Sequence, residues 1–139
     1  MRTAVDTNIL SALWGAEQCM ERAAEMLWQA EMHGALVISG VVYVELRAHP
    51  ASTETFIDRF LRQTRISVEW ELPREVWQMA ADRFGQYAER RRVQKADTPK
   101  RLPADFLVAA HALLRADRLM TLDRRRYQTD FPELNLTTI

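Results

Sequence analysis

Arg2-Thr-Ala-Val-Asp-Thr-Asn-Ile-Leu10, close to the start of the chain, contains the pattern from which the fold prediction proceeds. Thr3 to Val5 is typical of a short buried strand, and Asp6 follows that strand directly. Thr7 and Asn8 have short polar side chains that suit a turn or a helix N-cap. Ligands of open parallel sheets bind just beyond the carboxyl ends of the strands, so Asp6 is well placed for chemistry. The alternative is that Asp6 only caps the next helix.

The size and composition of the chain are those of one globular domain. With 139 residues, of which 47% are hydrophobic, the chain is long enough to bury a single core. We therefore predict one domain over residues 1–139. Its sequence contains no apolar run near the ~20 residues that span a bilayer. A lone Cys19 and an early Asp6 suit neither an internal disulfide nor a secretory signal, and together predict a soluble protein of the cytoplasm.

The charge of the chain is balanced. It has 19 basic and 19 acidic residues, and its formal net charge is zero. A protein that coats nucleic acid through bulk charge is strongly basic, so the balance argues against that class. All basic residues except Lys95 and Lys100 are arginines. Arginine suits bidentate phosphate contact, although a G+C-rich genome produces the same bias.

Strand and helix patterns alternate along the chain. The predicted strands are 3–5, 36–38, 66–68, 119–122 and, at one edge, 134–139. The predicted helices are 17–33, a helix capped by Ser52 that carries an apolar stripe to position 61, 73–92, and 103–116. Residues 41–48 fit either a helix or a strand, and 93–101 is predicted to be an exposed loop. This alternation predicts an α/β sandwich with a mostly parallel sheet.

Four carboxylates stand where a binding site is expected. Asp6 and Asp123 each follow a predicted strand, at its carboxyl end. Asp105 lies in the first turn of the most apolar helix, which a strand–helix–strand unit places at the same edge of the sheet. Glu45 interrupts the apolar run from Val41 to Leu46. We therefore expect these four side chains to share one edge.

Each carboxylate also has a simpler explanation. Asp105 can complement the dipole of its helix, which is worth about 0.3–1 kcal/mol. Glu45 is harmless if its segment is a strand whose apolar side chains point inward. Asp123 precedes three arginines and can be a solvated surface residue. All of these explanations must hold at once for the site to be absent.

Carboxylates gathered at one edge repel each other and need a cation. Ligands that are all oxygen select hard divalent ions, such as Mg²⁺ or Mn²⁺. The histidines His33, His49 and His111 are scattered along the sequence, so a zinc site is not predicted.

Four segments, taken together, resemble the signature segments of PIN-domain proteins. They are Ala4-Val-Asp-Thr-Asn-Ile-Leu10, Val41-Val-Tyr-Val-Glu-Leu46, Leu102-Pro-Ala-Asp-Phe-Leu-Val-Ala-Ala-His-Ala112 and Leu119-Met-Thr-Leu-Asp123. In size and order, essentially the whole chain is similar to the VapC-type toxins of bacterial toxin–antitoxin systems. The resemblance implies a three-layer α/β/α PIN domain with sheet order 3-2-1-4-5. It also implies a metal-dependent endoribonuclease, commonly acting on tRNA or rRNA.

The resemblance assigns the catalytic positions to Asp6, Glu45, Asp105 and Asp123. The three aspartates are expected to hold one or two Mg²⁺ or Mn²⁺ ions, and Glu45 is expected to ligate or to orient the attacking water. The expected supporting residues are Thr7 and Thr121, as hydroxyl partners, and Asn8, as a support for Asp6. The expected RNA-binding residues are Arg124, Arg125 and Arg126. The loop Lys95–Arg101 is longer than is usual in the family.

The same resemblance implies partners. A cognate VapB-type antitoxin is expected to insert an Arg or Lys toward Asp6 and Asp105. A homodimer is expected through the helices near 14–28 and 56–61. Operator DNA is expected to bind only through the antitoxin complex, and no membrane contact is expected.

Two other classes remain open. An aspartyl-phosphate phosphotransfer enzyme with Asp6 as nucleophile needs a further acidic residue nearby and a distant lysine. Here the second position after Asp6 is Asn8, and both lysines lie in one loop. A non-catalytic module whose acidic pocket receives a partner's arginine also fits the composition, and a divalent-metal titration separates it from a nuclease.

Overall fold

Five short strands and seven helices alternate along the residues that the computed structural model describes, which are 1–15, 18–50, 52–94 and 100–138. The strands are β1 (Thr3–Val5), β2 (Leu36–Ser39), β3 (Ile66–Glu69), β4 (Arg118–Met120) and β5 (Leu136–Thr137). The helices are α1 (Thr7–Trp14), α2 (Met20–Met32), α3 (Gly40–Leu46), α4 (Glu54–Thr64), α5 (Arg74–Gln94), α6 (Pro103–Arg115) and α7 (Arg125–Gln128).

The five strands form one sheet in the order β3-β2-β1-β4-β5. Every strand pair is parallel, and Ala4 at the centre lies between Val37 of β2 and Leu119 of β4. Parallel pairing brings the carboxyl ends of all strands to one edge of the sheet. The predicted fold class and strand order are therefore confirmed, and the sheet is wholly parallel.

The central strands are covered on both faces. All residues of β1 and β2 are buried, although successive side chains of a strand point to opposite faces. Burial on both faces is the normal state of a parallel sheet, because its crossover helices pack on it. Helix α6 is buried along most of its length, as its apolar sequence predicts, from Phe106 to Ala112. No helix of the described residues is both long and apolar enough to cross a membrane.

The ambiguous segment after β2 is a helix. In α3, Val42 and Leu46 are buried and lie one helical turn apart, so the apolar side chains follow a helical and not an extended period. Glu45 therefore lies on a helix that starts at the carboxyl end of β2. This position brings its carboxylate to the same edge of the sheet as Asp6.

The predicted N-cap of α4 is wrong by one residue. The cap is Thr53, whose hydroxyl accepts a hydrogen bond from the amide of Phe56 at 3.1 Å. Ser52 instead donates its hydroxyl to the carbonyl of His49 at 2.9 Å. Both residues suit a cap chemically, and the turn that ends α3 decides which one is used.

Candidate active site

One arginine, Arg126, marks the place where the four predicted carboxylates meet. Its guanidinium lies 3.8 Å from Oδ1 of Asp105 and 3.6 Å from Oδ2 of Asp123. It also interacts electrostatically with Asp6 and with Glu45. The structure thus brings the ends of β1 and β4, the start of α6 and the end of α3 to one edge of the sheet.

Asp6 is the most deeply buried of the four, with 2% of the residue exposed. Its Oδ1 accepts the amide of Thr7 at 2.8 Å, which makes Asp6 the N-cap of α1. Its Oδ2 accepts the hydroxyls of Thr121, at 2.8 Å, and of Tyr127, at 2.6 Å. Burial raises the pKa of Asp6 above its ordinary value, and the hydrogen bonds from Tyr127 and Thr121 oppose that rise.

The hydrogen bonds of Asp6 leave room for one more ligand. A carboxylate offers about four lone-pair positions, and three of those on Asp6 are taken by Thr7, Thr121 and Tyr127. The fourth is on Oδ1. The cap and the site are therefore compatible functions of the same side chain.

Glu45 is linked to Asp6 through one residue, Thr7. The hydroxyl of Thr7 donates to Oε1 of Glu45 at 2.8 Å, while its amide donates to Asp6. Burial raises the pKa of Glu45, the Thr7 hydroxyl lowers it, and the charges of Asp6 and Asp105 raise it further. In the described part of the chain, Oε2 of Glu45 accepts no hydrogen bond.

Asp105 and Asp123 each use one oxygen for local structure and turn the other to the site. Oδ2 of Asp105 accepts the amide of Leu102 at 3.0 Å, which caps α6. Oδ1 of Asp123 accepts the amide of Arg126 at 3.2 Å, at the start of α7. The remaining oxygens, Oδ1 of Asp105 and Oδ2 of Asp123, face the guanidinium of Arg126. The capping function of Asp105 is real, and it coexists with a place in the acidic cluster.

Thr121 and Asn8 hold β4 against the start of α1. The Thr121 hydroxyl donates to Asp6 and accepts both the side-chain amide of Asn8, at 3.2 Å, and the backbone amide of Asp123, at 3.1 Å. Oδ1 of Asn8 accepts the amide of Leu122 at 3.0 Å. Thr121 therefore fixes the position of Asp123 relative to Asp6, and Asn8 supports Asp6 through Thr121.

Tyr127 is a site residue that the sequence analysis missed. It is 1% exposed, and its hydroxyl donates to Asp6 across 121 positions of sequence. Burial and the charge of Asp6 raise the pKa of Tyr127 far above its ordinary value, so the hydroxyl stays a donor. The available signal was one aromatic residue in the polar run after Asp123, four positions on, which a helical turn brings to the same face.

The three consecutive arginines have different environments. Arg124 and Arg125 are exposed, whereas Arg126 is partly buried among the carboxylates. Arg101 donates from its guanidinium to the carbonyl of Arg125 at 3.2 Å, and its amide donates to the hydroxyl of Tyr87 at 2.7 Å. Arg101 ends the loop singled out above, and positions 95–99 of that loop lie outside the described residues.

The donor set of the site fits a hard divalent cation by its chemistry. Each of the four carboxylates keeps at least one lone-pair position that accepts no hydrogen bond from another described residue. Oxygen ligands suit Mg²⁺ and Mn²⁺. Within the described residues, however, no three Asp, Glu, His or Cys side chains stand close enough to hold an ion as they are. The carboxylates thus have the right chemistry, and the guanidinium of Arg126 lies between those of Asp105 and Asp123.

Comparison with known proteins agrees with this architecture. Residues 3–132 match the family model described as the PIN domain. The structure is similar to that of VapBC-1 from nontypeable Haemophilus influenzae, with a TM-score of 0.66, 22% sequence identity, and coverage of 99% of this chain and 98% of that chain. It is also similar to VapBC2 from Rickettsia felis bound to a DNA fragment from their promoter, with a TM-score of 0.59, 19% identity and the same coverage. A comparison with curated proteins finds no match.

Proposed function

Because this chain belongs to the PIN-domain family, we propose that it is a divalent-metal-dependent endoribonuclease and the toxin of a VapBC-type toxin–antitoxin pair. PIN domains are generally nucleases, and the fold is similar to that of solved VapBC proteins. The observation that carries the proposal is the cluster of four carboxylates that share Arg126 as an electrostatic partner. Its substrate is an RNA phosphodiester, with tRNA or rRNA as the class suggested by the family resemblance.

The residues divide the work by their positions. Asp6, Asp105 and Asp123 would hold Mg²⁺ or Mn²⁺ through the oxygens that remain available on each. When bound, such an ion acidifies water and stabilises negative charge on phosphate oxygens. The three donors to Asp6 fix the orientation of its carboxylate in a buried place and oppose the rise in its pKa that burial causes.

Glu45 orients the attacking water. Thr7 fixes Oε1 of this carboxylate, and Oε2 is available to accept a proton from water. The water oxygen bonds to phosphorus while the bond from phosphorus to the leaving oxygen of the RNA breaks, so cleavage by this route needs no side-chain nucleophile. The exposed guanidinium groups of Arg124 and Arg125, next to Asp123, contact the flanking phosphates of the RNA.

The test is cleavage of a structured RNA by purified protein with Mg²⁺ or Mn²⁺ and with EDTA. Asp105→Asn is expected to abolish cleavage, because it removes a charge but keeps an oxygen for the Leu102 amide. Glu54→Gln is the matched control, since Glu54 is also an acid in the first turn of a helix but is exposed. Full cleavage by Asp105→Asn, or cleavage that persists in excess EDTA, contradicts the proposal. Divalent-metal binding that is absent altogether supports the non-catalytic acidic module instead.

The proposed partner is a cognate VapB-type antitoxin that inserts a basic side chain toward Asp6 and Asp105. The similarity to two VapBC proteins supports this partner, and the promoter DNA bound in one of them supports operator DNA as a ligand of the complex. The chain is also proposed to form a homodimer through the helices near 14–28 and 56–61. Sizing at high micromolar concentration that shows only monomer contradicts the dimer.

A further inference from the structure

We propose that the guanidinium of Arg126 occupies the cation position of the acidic site in the metal-free protein and competes with the divalent ion for it. This inference rests on the proposed function, because it assigns a competitor to the metal site of the proposed nuclease. In the metal-free protein the side chain of Arg126 thus blocks the metal site, whereas the side chains of Arg124 and Arg125 lie outside that site. A divalent ion can then bind only when the Arg126 guanidinium leaves the site.

The oxygens that face Arg126 are the ones that an ion needs. Asp105 and Asp123 each commit one oxygen to a backbone amide. Their other oxygens lie 3.8 Å and 3.6 Å from the Arg126 guanidinium, which therefore bridges the two carboxylates. Within the described residues no three Asp, Glu, His or Cys side chains are close enough to hold an ion, and the Arg126 guanidinium lies between two of the carboxylates that would hold it.

Arg126 is held in place by charge and not by directional bonds. Its distances to Asp105 and Asp123 exceed the ~3.2 Å limit of a good N–H···O hydrogen bond. Its backbone amide is bonded to Asp123, but its guanidinium donates no hydrogen bond to any other described residue. A contact of this kind can open by rotation of the side chain while α7 stays in place.

Another arginine of the same protein shows the alternative arrangement. Arg83 makes two short hydrogen bonds to Glu133, at 2.9 Å and 2.7 Å, which is the bidentate geometry of a directional ion pair. Arg126 lies within 4 Å of two carboxylates with none of this geometry, and 35% of its side chain is exposed. Arg126 therefore has the contacts of a displaceable cation.

Because of this competition, the apparent metal affinity equals the intrinsic affinity multiplied by the fraction of molecules in which the site is open. If the Arg126 contact is populated about nine-tenths of the time, removing it tightens metal binding on the order of tenfold. The same removal leaves the acidic cluster without its cation, so the metal-free protein becomes less stable. Both changes are independent of RNA and of cleavage.

The experiment is a Mn²⁺ titration followed by electron paramagnetic resonance, which counts free Mn²⁺, with melting curves in EDTA and in Mn²⁺. Arg126→Gln is expected to bind Mn²⁺ more tightly than the parent, to melt lower in EDTA, and to gain more from Mn²⁺. Arg125→Gln removes the same charge from the same turn and is expected to match the parent in Mn²⁺ affinity. Equal or weaker Mn²⁺ binding by Arg126→Gln overturns the inference and leaves the nuclease proposal standing.

A second variant covers failure of Arg126→Gln to fold. Arg126→Lys keeps the charge, but its compact ammonium does not bridge two carboxylates as a guanidinium does. It is expected to bind Mn²⁺ more tightly than the parent, and equal affinity overturns the inference. A parent protein that binds no Mn²⁺ at millimolar concentration overturns both this inference and the metal-dependent function.

Discussion

Replacing Tyr127 by phenylalanine removes one oxygen from the most buried part of the site. The Tyr127 hydroxyl donates to Oδ2 of Asp6 at 2.6 Å, and both residues are almost fully buried. Phenylalanine keeps the ring and its packing, so the change isolates the hydrogen bond. Asp6 keeps its bonds from Thr7 and Thr121 but loses its third donor at a position that is almost fully buried.

At a pH above the folded-state pKa of Asp6, in EDTA, the expected loss for Tyr127→Phe is about 1.5–3 kcal/mol in the free energy of unfolding, the range for a hydrogen bond to a charged group. For a chain of this length that corresponds to a melting temperature lower by roughly 5–10 °C. The matched control is Tyr43→Phe. The Tyr43 hydroxyl also donates to a carboxylate, Asp58, at 2.9 Å, but Asp58 is exposed. Its loss is expected to cost under about 1 kcal/mol, since water replaces the donor.

The pH dependence of this loss has a definite sign. The Tyr127 hydroxyl stabilises the ionised form of Asp6, so its removal raises the folded-state pKa of Asp6 further. The stability deficit of Tyr127→Phe is therefore largest where Asp6 is ionised and shrinks as the pH falls through the folded-state pKa. Urea unfolding over a series of pH values, on both sides of the folded-state pKa of Asp6, measures the difference. A deficit equal to that of Tyr43→Phe, or one that grows on acidification, refutes the reasoning.

Three further results are expected. In EDTA, Asp105→Asn should melt at or above the parent, because the substitution relieves repulsion with Glu45. The control Glu54→Gln should lose roughly 0.3–1 kcal/mol of helix-dipole stabilisation. Equal losses for the two variants in melting curves would mean that Asp105 only caps its helix. Burial raises the pKa of Asp6, so the folded protein favours the protonated carboxyl. The resulting contribution to the free energy of unfolding is fully present below the ordinary Asp pKa and is lost as the pH rises through the folded value. In urea titrations the metal-free parent should accordingly lose stability relative to Asp6→Asn as the pH rises from the ordinary Asp pKa through the folded value, and an unchanged difference contradicts this assignment. Thr121→Val removes a buried donor and acceptor and should cost about 2–3 kcal/mol in urea unfolding; a loss below about 1 kcal/mol contradicts the central position of Thr121.

Local sequence signals were sufficient for the elements that carry the site. A short apolar run followed by a carboxylate predicts a strand that delivers Asp6 to the edge, and Pro103 predicts the start of the helix that delivers Asp105. The parallel connection then places both at one edge, because a crossover helix returns antiparallel to its strands. Glu45 was ambiguous, since valines favour strands, and only packing of α3 against its neighbours settles the helix.

The contacts between the elements were beyond local signals. Tyr127 meets Asp6 from 121 positions away, and no pattern of neighbours along the chain encodes that pairing. Arg124, Arg125 and Arg126 are identical in the sequence, and the turn of about 100° between successive helical residues decides that only the third faces the carboxylates. The sequence thus predicts at which edge of the sheet the site residues lie, while the orientation of each side chain depends on tertiary packing.

The central place of β1 in the sheet has a consequence for synthesis on the ribosome. β1 is made early, but β4, one of its two neighbours, begins at Arg118. At roughly 5–20 residues per second, the 121 positions between Asp6 and Tyr127 take about 6–24 s to translate. For all but the last few residues of that interval Asp6 has neither of its hydroxyl donors, Thr121 and Tyr127, and Asp123 does not yet exist. The growing chain therefore carries no assembled acidic site. The interval gives a partner protein time to bind the growing chain before the proposed nuclease is complete.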